Sequence, residues 1–223
     1  MKEQNEEKNL EVGNVIATAE QFVEKNKKKL AIAAGAVVVI ALGIWAFVGL
    51  YAQPRQQRAA EDLFAAEQWF MAGDFEKALN GDEQFLGLND VIDQYGCTKS
   101  GNLAKYYAGI CQLNLGKYEE AADLLKSYKG HDVFTGAEAL MLIGDCYAEL
   151  ENPKEAAGYY EKAASKADNF IISPCALWKA GMMQLKLNNK EAAVKCFQKI
   201  KDNYPESPGY GEADKYIAYA ENL

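Results

Sequence analysis

Between Leu30 and Tyr51 the chain runs for twenty-two residues, LAIAAGAVVVIALGIWAFVGLY, without a single charge. As a helix this stretch would extend roughly 33 Å, enough for a hydrocarbon core of about 30 Å. Buried helices of water-soluble domains are usually shorter and keep a polar side. A secretory signal would have an apolar run of only about 7–15 residues ending in a small-x-small cleavage site. Leu50-Tyr51-Ala52 offers no such site, and no cysteine stands nearby for lipid attachment. The expectation is an uncleaved transmembrane signal-anchor helix over 30–51. Lys25, Lys27, Lys28 and Lys29 precede it, whereas only Arg55 and Arg58 follow before Lys77. Positive flanks stay on the cytoplasmic side, which predicts a cytoplasmic segment 1–29 and an external domain 56–223. Trp45, Phe47 and Tyr51 would then reach the outer headgroup layer.

The formal charge of −8 is unevenly spread. Residues 1–29 contain six lysines and six glutamates and sum to zero, so the remainder carries the whole excess. Nucleic-acid binding requires clustered basic charge, so that function class is excluded. Cys97, Cys111, Cys146, Cys175 and Cys196 are an odd set without a C-x-x-C pair. They read as mostly buried free thiols packing as small hydrophobes, not as a disulfide framework.

Ahead of the uncharged stretch, Val12, Val15, Ile16, Ala19, Phe22 and Val23 recur at helical spacing and make one apolar face. Beyond it, Pro54 is expected to bend or interrupt the helix. The domain then repeats itself. Gly73-Asp-Phe-Glu-Lys-Ala-Leu is echoed by Gly116-Lys-Tyr-Glu-Glu-Ala-Ala, by Asn152-Pro-Lys-Glu-Ala-Ala and by Asn189-Lys-Glu-Ala-Ala. Gly109, Gly144 and Gly181 recur 35 and 37 residues apart, and Ala121, Ala156 and Ala193 follow with the same spacing. Glycine inside a helix costs about 1 kcal/mol relative to alanine, so three in register point to close approach of two helices at small residues. Asn152 before Pro153 and Ser173 before Pro174 read as helix starts.

From about Ala60 onward these residues resemble the tetratricopeptide repeat family, helix-turn-helix units of about 34 residues. The resemblance implies an all-α fold. A single N-terminal transmembrane helix is followed by an α-solenoid of three regular helix pairs, one irregular first pair and a C-terminal capping helix near 211–221. The first unit departs from the pattern: it breaks at Asn80-Gly81-Asp82, and Phe85 to Tyr95 forms a separate apolar-periodic segment.

No catalytic constellation is present, so no enzymatic role is expected. His131 is the only histidine and has no nucleophile beside it. One histidine and scattered cysteines match no metal-ligand spacing, and no phosphate-binding loop occurs, so neither cofactor nor small-molecule substrate is expected. What remains is a surface. In tetratricopeptide repeats the concave groove is lined mainly by first helices. Carried over through the glycine alignment, that groove comprises Leu63, Phe70, Tyr106, Ile110, Leu113, Met141, Asp145, Trp178, Met182 and Leu185. It is unusually apolar, as protein-binding sites often are. An alternative occupant is the chain's own capping helix or the Phe85–Tyr95 segment.

Joined together, anchor and repeats resemble the bacterial ancillary subunit of the Sec translocon. Phe22, Glu24, Asn26, Leu30, Gly35 and Gly43 match the layout of its cytoplasmic helix and single span. The resemblance implies a single-pass protein of the bacterial inner membrane with a periplasmic domain. Its partners would be Sec translocon subunits, periplasmic chaperones or exported chains. Locally, VIDQYGCTKSGNLAKYYAG and DNYPESPGYGEADKYI are similar to envelope tetratricopeptide proteins such as the Tol–Pal accessory factor. That similarity implies a second reading, a coordinator binding Tol–Pal or peptidoglycan-synthesis proteins.

Overall fold

The computed structural model describes the backbone of residues 2–207 and 209–223, with side chains from Val23 onward apart from Pro208. It divides into two compact units, Met1–Pro54 and Arg55–Leu223. The first unit is dominated by helix α1, Lys2–Phe47. The apolar face expected from Val12 to Val23 belongs to this helix; its side chains up to Phe22 lie outside the described residues, and Val23 is exposed. Further on, among the described residues, the apolar side chains are exposed: Val39 is 70 % exposed and Leu50 81 %.

Of the bend or interruption expected at Pro54, no break occurs: the helix changes its winding just before the proline. Val48–Ala52 forms a π-helical turn, and the N–H of Gln53 donates to the Val48 carbonyl five residues back. Helix α2, Gln53–Met71, follows directly and holds Pro54 in its first turn. Proline lacks an N–H and its ring crowds the carbonyl four residues earlier. Widening the preceding turn to the i→i+5 pattern accommodates that defect.

The second unit is a run of antiparallel helix pairs. Helix α2 pairs with α3, Phe75–Asn80. Helices α5, Lys99–Asn114, and α6, Tyr118–Ser127, form the next pair. Then come α7, Val133–Glu149, with α8, Pro153–Ala167, and α9, Ile172–Lys186, with α10, Lys190–Asn203. Helix α11, Tyr210–Glu221, packs on α10 and closes the series.

Each pair turns the same way. At Gly73, Gly116, Glu151 and Asn188 the backbone enters the left-handed region. The N–H of the following residue reaches back five residues, as Asp74 to Trp69, Lys117 to Gln112, Asn152 to Tyr147 and Asn189 to Gln184. This closes the carbonyls left open at a helix end.

The glycines expected to bring helices together do so by a different contact. A Cβ on Gly109 would lie 2.6 Å from the Leu125 side chain, one on Gly144 2.5 Å from the Tyr160 ring, and one on Gly181 2.6 Å from the Phe197 ring. Each first-helix glycine thus makes room for a large side chain, one turn beyond Ala121, Ala156 or Ala193. Phe197 is wholly buried and anchors the last core cluster with Leu177, Ile200 and Tyr204.

The irregular first unit has a structural cause. After α3, Gly81 and Leu86 form an isolated antiparallel bridge, and helix α4, Leu88–Tyr95, follows. Leu88 and Val91 are fully buried beside Ala78 and Leu79, so α4 completes a core that the six-residue α3 is too short to fill. The segment expected from Phe85 is helical only from Leu88. Ser173 likewise does not cap α9, which begins one residue before it. Asn169 accepts the N–H groups of Ile171 and Ile172, while the buried Ser173 hydroxyl donates to the Ala164 carbonyl.

Asp132 caps α7, accepting the Thr135 N–H at 2.7 Å. Hydrogen bonds from the Thr135 hydroxyl and then its N–H hold the Asp132 carboxyl below its ordinary pKa. Its contribution is therefore present above the unfolded value near ~3.9 and lost as pH falls through the lowered folded value. Asp132→Ala is expected to cost about 1 kcal/mol at pH 7. Urea denaturation should show the gap to the parent shrinking as the pH is taken below that window; a constant gap would contradict the cap.

Candidate functional site

The first helices α2, α5, α7 and α9 carry the ten residues assigned to the groove, and their environments differ. Leu63 is 4 % exposed and belongs to the first core cluster. Tyr106 is 6 % exposed, between the rings of Tyr107 at 5.7 Å and Tyr128 at 5.2 Å. Phe70, Ile110, Leu113 and Met141 are half-buried, with Phe70 resting on Phe75 and Tyr107. At the C-terminal end Trp178, Met182 and Leu185 are also half-buried, and α11 packs beside them. The Trp178 ring meets Phe197 at 5.2 Å and Tyr216 of α11 at 4.9 Å. Met182 and Leu185 join Tyr216 and Ile217 around the same cluster. Gly209, with φ +91°, brings the chain across Trp178, where a Cβ would lie 3.1 Å from the ring.

Asp145 is satisfied from two sides. It accepts the Tyr160 hydroxyl at 2.6 Å and the Lys179 ammonium at 2.6 and 2.8 Å. Burial, then this hydrogen bond, push the Tyr160 phenol well above its ordinary pKa, so it remains a donor. The Tyr106 phenol is raised in the same way, by burial first and then by its bond to Glu138.

A regular set of polar rungs ties successive first helices together. Between α7 and α9 the Lys179 ammonium donates to Asp145; between α2 and α5 Tyr107 faces Glu67, and between α5 and α7 Tyr106 faces Glu138. In each case the partner stands three residues before the position that the repeat spacing makes equivalent: Tyr107 before Ile110, Glu138 before Met141, Lys179 before Met182. The pairings thus run between positions that the repeat spacing does not make equivalent. Sequence alignment of the repeats found Asp145 and Tyr106 but not Glu67, Glu138 or Lys179. The pairing is a packing property, and no single repeat displays it.

Among the described residues no three His, Cys, Asp or Glu side chains gather as a metal site. His131 is exposed in the turn before α7. Cys111, Cys146 and Cys196 are buried, whereas Cys97 and Cys175 are exposed. Burial pushes the Cys111 thiol up to about 12 and the Cys146 and Cys196 thiols up to about 11, leaving them inert.

Comparison with known proteins agrees with this geometry. The tetratricopeptide repeat family matches residues 103–130, 135–170 and 176–207. No curated protein matches the sequence. Among solved structures, a crystal structure of MamA is similar with a TM-score of 0.56 at 18 % identity, over 70 % of this chain and 82 % of that one. A Podosopora anserina protein, described as a kinesin light chain with nearly identical TPR-like repeats, gives 0.54 at 13 % identity over 75 % and 87 %. These likenesses concern the fold. The left-handed turns, the glycines seating large second-helix residues and the family matches lead to one conclusion: the helical domain of this chain is built of tetratricopeptide repeats.

Proposed function

We propose that this chain is a membrane-anchored, non-catalytic scaffold of the bacterial inner membrane, holding proteins of Sec-dependent export at its periplasmic repeats. Tetratricopeptide repeats indicate protein-protein interaction. The observation that carries the membrane part is the N-terminal helix: mean hydropathy in its most apolar window reaches 2.6 and none of that window is buried. Such a surface is stable only where hydrocarbon covers it. Lysines before the span and few basic residues after it support a cytoplasmic segment 1–29, a span 30–51 and a periplasmic domain 56–223.

The binding face within this reading is the half-buried apolar part of the first-helix row that α11 does not contact through its rings: Phe70, Ile110, Leu113 and Met141. Its partners are translocon subunits, periplasmic chaperones or emerging chains. Binding raises their local concentration at the membrane. Photo-crosslinking in cells from probes at Ile110 and Met141 tests this. Adducts with translocon subunits, chaperones or newly exported chains are expected. Adducts with Tol–Pal or cell-wall synthesis proteins would replace the export reading with an envelope-coordinating one, and adducts only within the chain would remove the face from consideration.

A further inference from the structure

A cavity of about 450 Å³ opens between α6, α7 and α8, and none of Phe70, Ile110, Leu113 and Met141 lines it. Leu125, Ala139, Leu140 and Ile143 line it, and so do Lys126 and Lys166. Residues 30–223 carry the whole net charge of −8, so two ammonium groups beside one apolar hollow contrast with their surroundings.

Both lysines are exposed and positioned. Lys126 lies 5.1 Å from the centre of the Tyr147 ring, and its carboxylate partner is Asp123 at 3.2 Å. Asp123 is 80 % exposed, and a surface pair of that kind contributes only about 0–1 kcal/mol, so another carboxylate can exchange with it. The stem of Lys166 is seated by Gly136, where a Cβ would come within 2.4 Å of its Cε. Among the described residues its ammonium reaches one acceptor, the Gly130 carbonyl, at 3.4 Å. An ammonium has three donors, so both groups keep capacity for a ligand. Tyr159 also borders the hollow, stacked on Tyr147 at 5.5 Å, with Lys162 4.8 Å from its ring centre as a third nearby cation.

We infer that this hollow is a second docking site, for an acidic peptide segment that inserts one apolar side chain and places carboxylates on Lys126 and Lys166. The volume lies toward the small end of ligand pockets and suits one side chain, not a helix. Charge complementarity selects an acidic segment and disfavours a basic one. The site uses second helices α6 and α8 as well as α7, so its occupation leaves Phe70, Ile110, Leu113 and Met141 free. Two partners can then be held together, and the site stands or fails independently of the export reading.

The test uses the full chain in phosphatidylcholine nanodiscs and a fluorescent peptide, Glu-Glu-Leu-Phe-Glu-Glu, followed by anisotropy. The acidic peptide is expected to bind about tenfold more tightly than Gln-Gln-Leu-Phe-Gln-Gln, with the difference fading as salt is raised. Lys126→Gln with Lys166→Gln is expected to remove about the same factor while leaving the thermal melt unchanged. Leu140→Glu, which keeps both lysines, is expected to abolish binding. Equal binding of the two peptides, or undiminished binding to the folded double-lysine variant, would overturn the proposal. So would loss of peptide binding in phosphatidylglycerol discs through the same two lysines, which would assign the site to a lipid headgroup.

Discussion

Phe197→Ala is expected to destabilise the repeat domain by about 3–5 kcal/mol, the largest effect of any single truncation considered. The ring is fully buried, fills the space that Gly181 leaves, and touches Trp178 and Tyr216 as well. Its removal therefore empties the last helix pair and loosens the cover that α11 lays on Trp178. Since domains of this size are stable by only about 5–15 kcal/mol, the variant should show a much lower urea midpoint. Increased fluorescence change at Trp178 on mild heating should accompany it. A loss below about 1 kcal/mol would mean that the core closes around the gap, and the account of α11 as a fixed cap would fail.

The second large effect separates two glycines that look alike in sequence. Gly144→Ala places a Cβ 2.5 Å from the Tyr160 ring. Helix propensity favours alanine by about 1 kcal/mol, but overpacking costs typically about 1–3 kcal/mol. The ring must also move away from Asp145, which it bonds at 2.6 Å. Net destabilisation of about 1–2 kcal/mol is expected from these opposing terms. Gly158, in the interior of α8, has nothing within 4 Å of an added Cβ, so Gly158→Ala should gain up to about 1 kcal/mol. Thermal melts of the two variants should move in opposite directions; shifts of the same sign would contradict the packing described.

Much of the architecture is legible in the residues because local rules set it. Glycine at the turns of Gly73 and Gly116 and Pro153 at the start of α8 are local signals, while Gly109, Gly144 and Gly181 speak through their common spacing. Where Glu151 and Asn188 take the same left-handed turn, the signal is carried by the repeat spacing, not by residue type. Features that depend on two distant segments were hidden. The core demand that recruits α4 arises from the shortness of α3. The pairing of Tyr106 with Glu138 and of Asp145 with Lys179 belongs to the stacking of neighbouring pairs. The sequence pattern points to alanine opposite glycine as the close contact, yet the decisive partners are Leu125, Tyr160 and Phe197, one turn further on. Pro54 carries the same lesson. Its missing donor is plain in the sequence, but a widened π turn answers it as well as a break does. Among the ten groove positions, local packing sets exposure: Leu63 and Tyr106 are buried in the earlier core clusters, and Trp178 is packed by Tyr216 of α11.

The central claim is that the uncharged helix crosses a membrane and holds the repeats on its outer side. The exposed Cys97 and Cys175 and the buried Cys111, Cys146 and Cys196 provide the measurement. Intact bacterial spheroplasts carrying the full chain, after mild reduction, are treated with a membrane-impermeant maleimide, and labelled peptides are identified. The account predicts labelling of Cys97 and Cys175 without permeabilisation, and of the three buried thiols only after denaturation. Labelling of Cys97 and Cys175 only after the membrane is broken would place the repeats inside and contradict it.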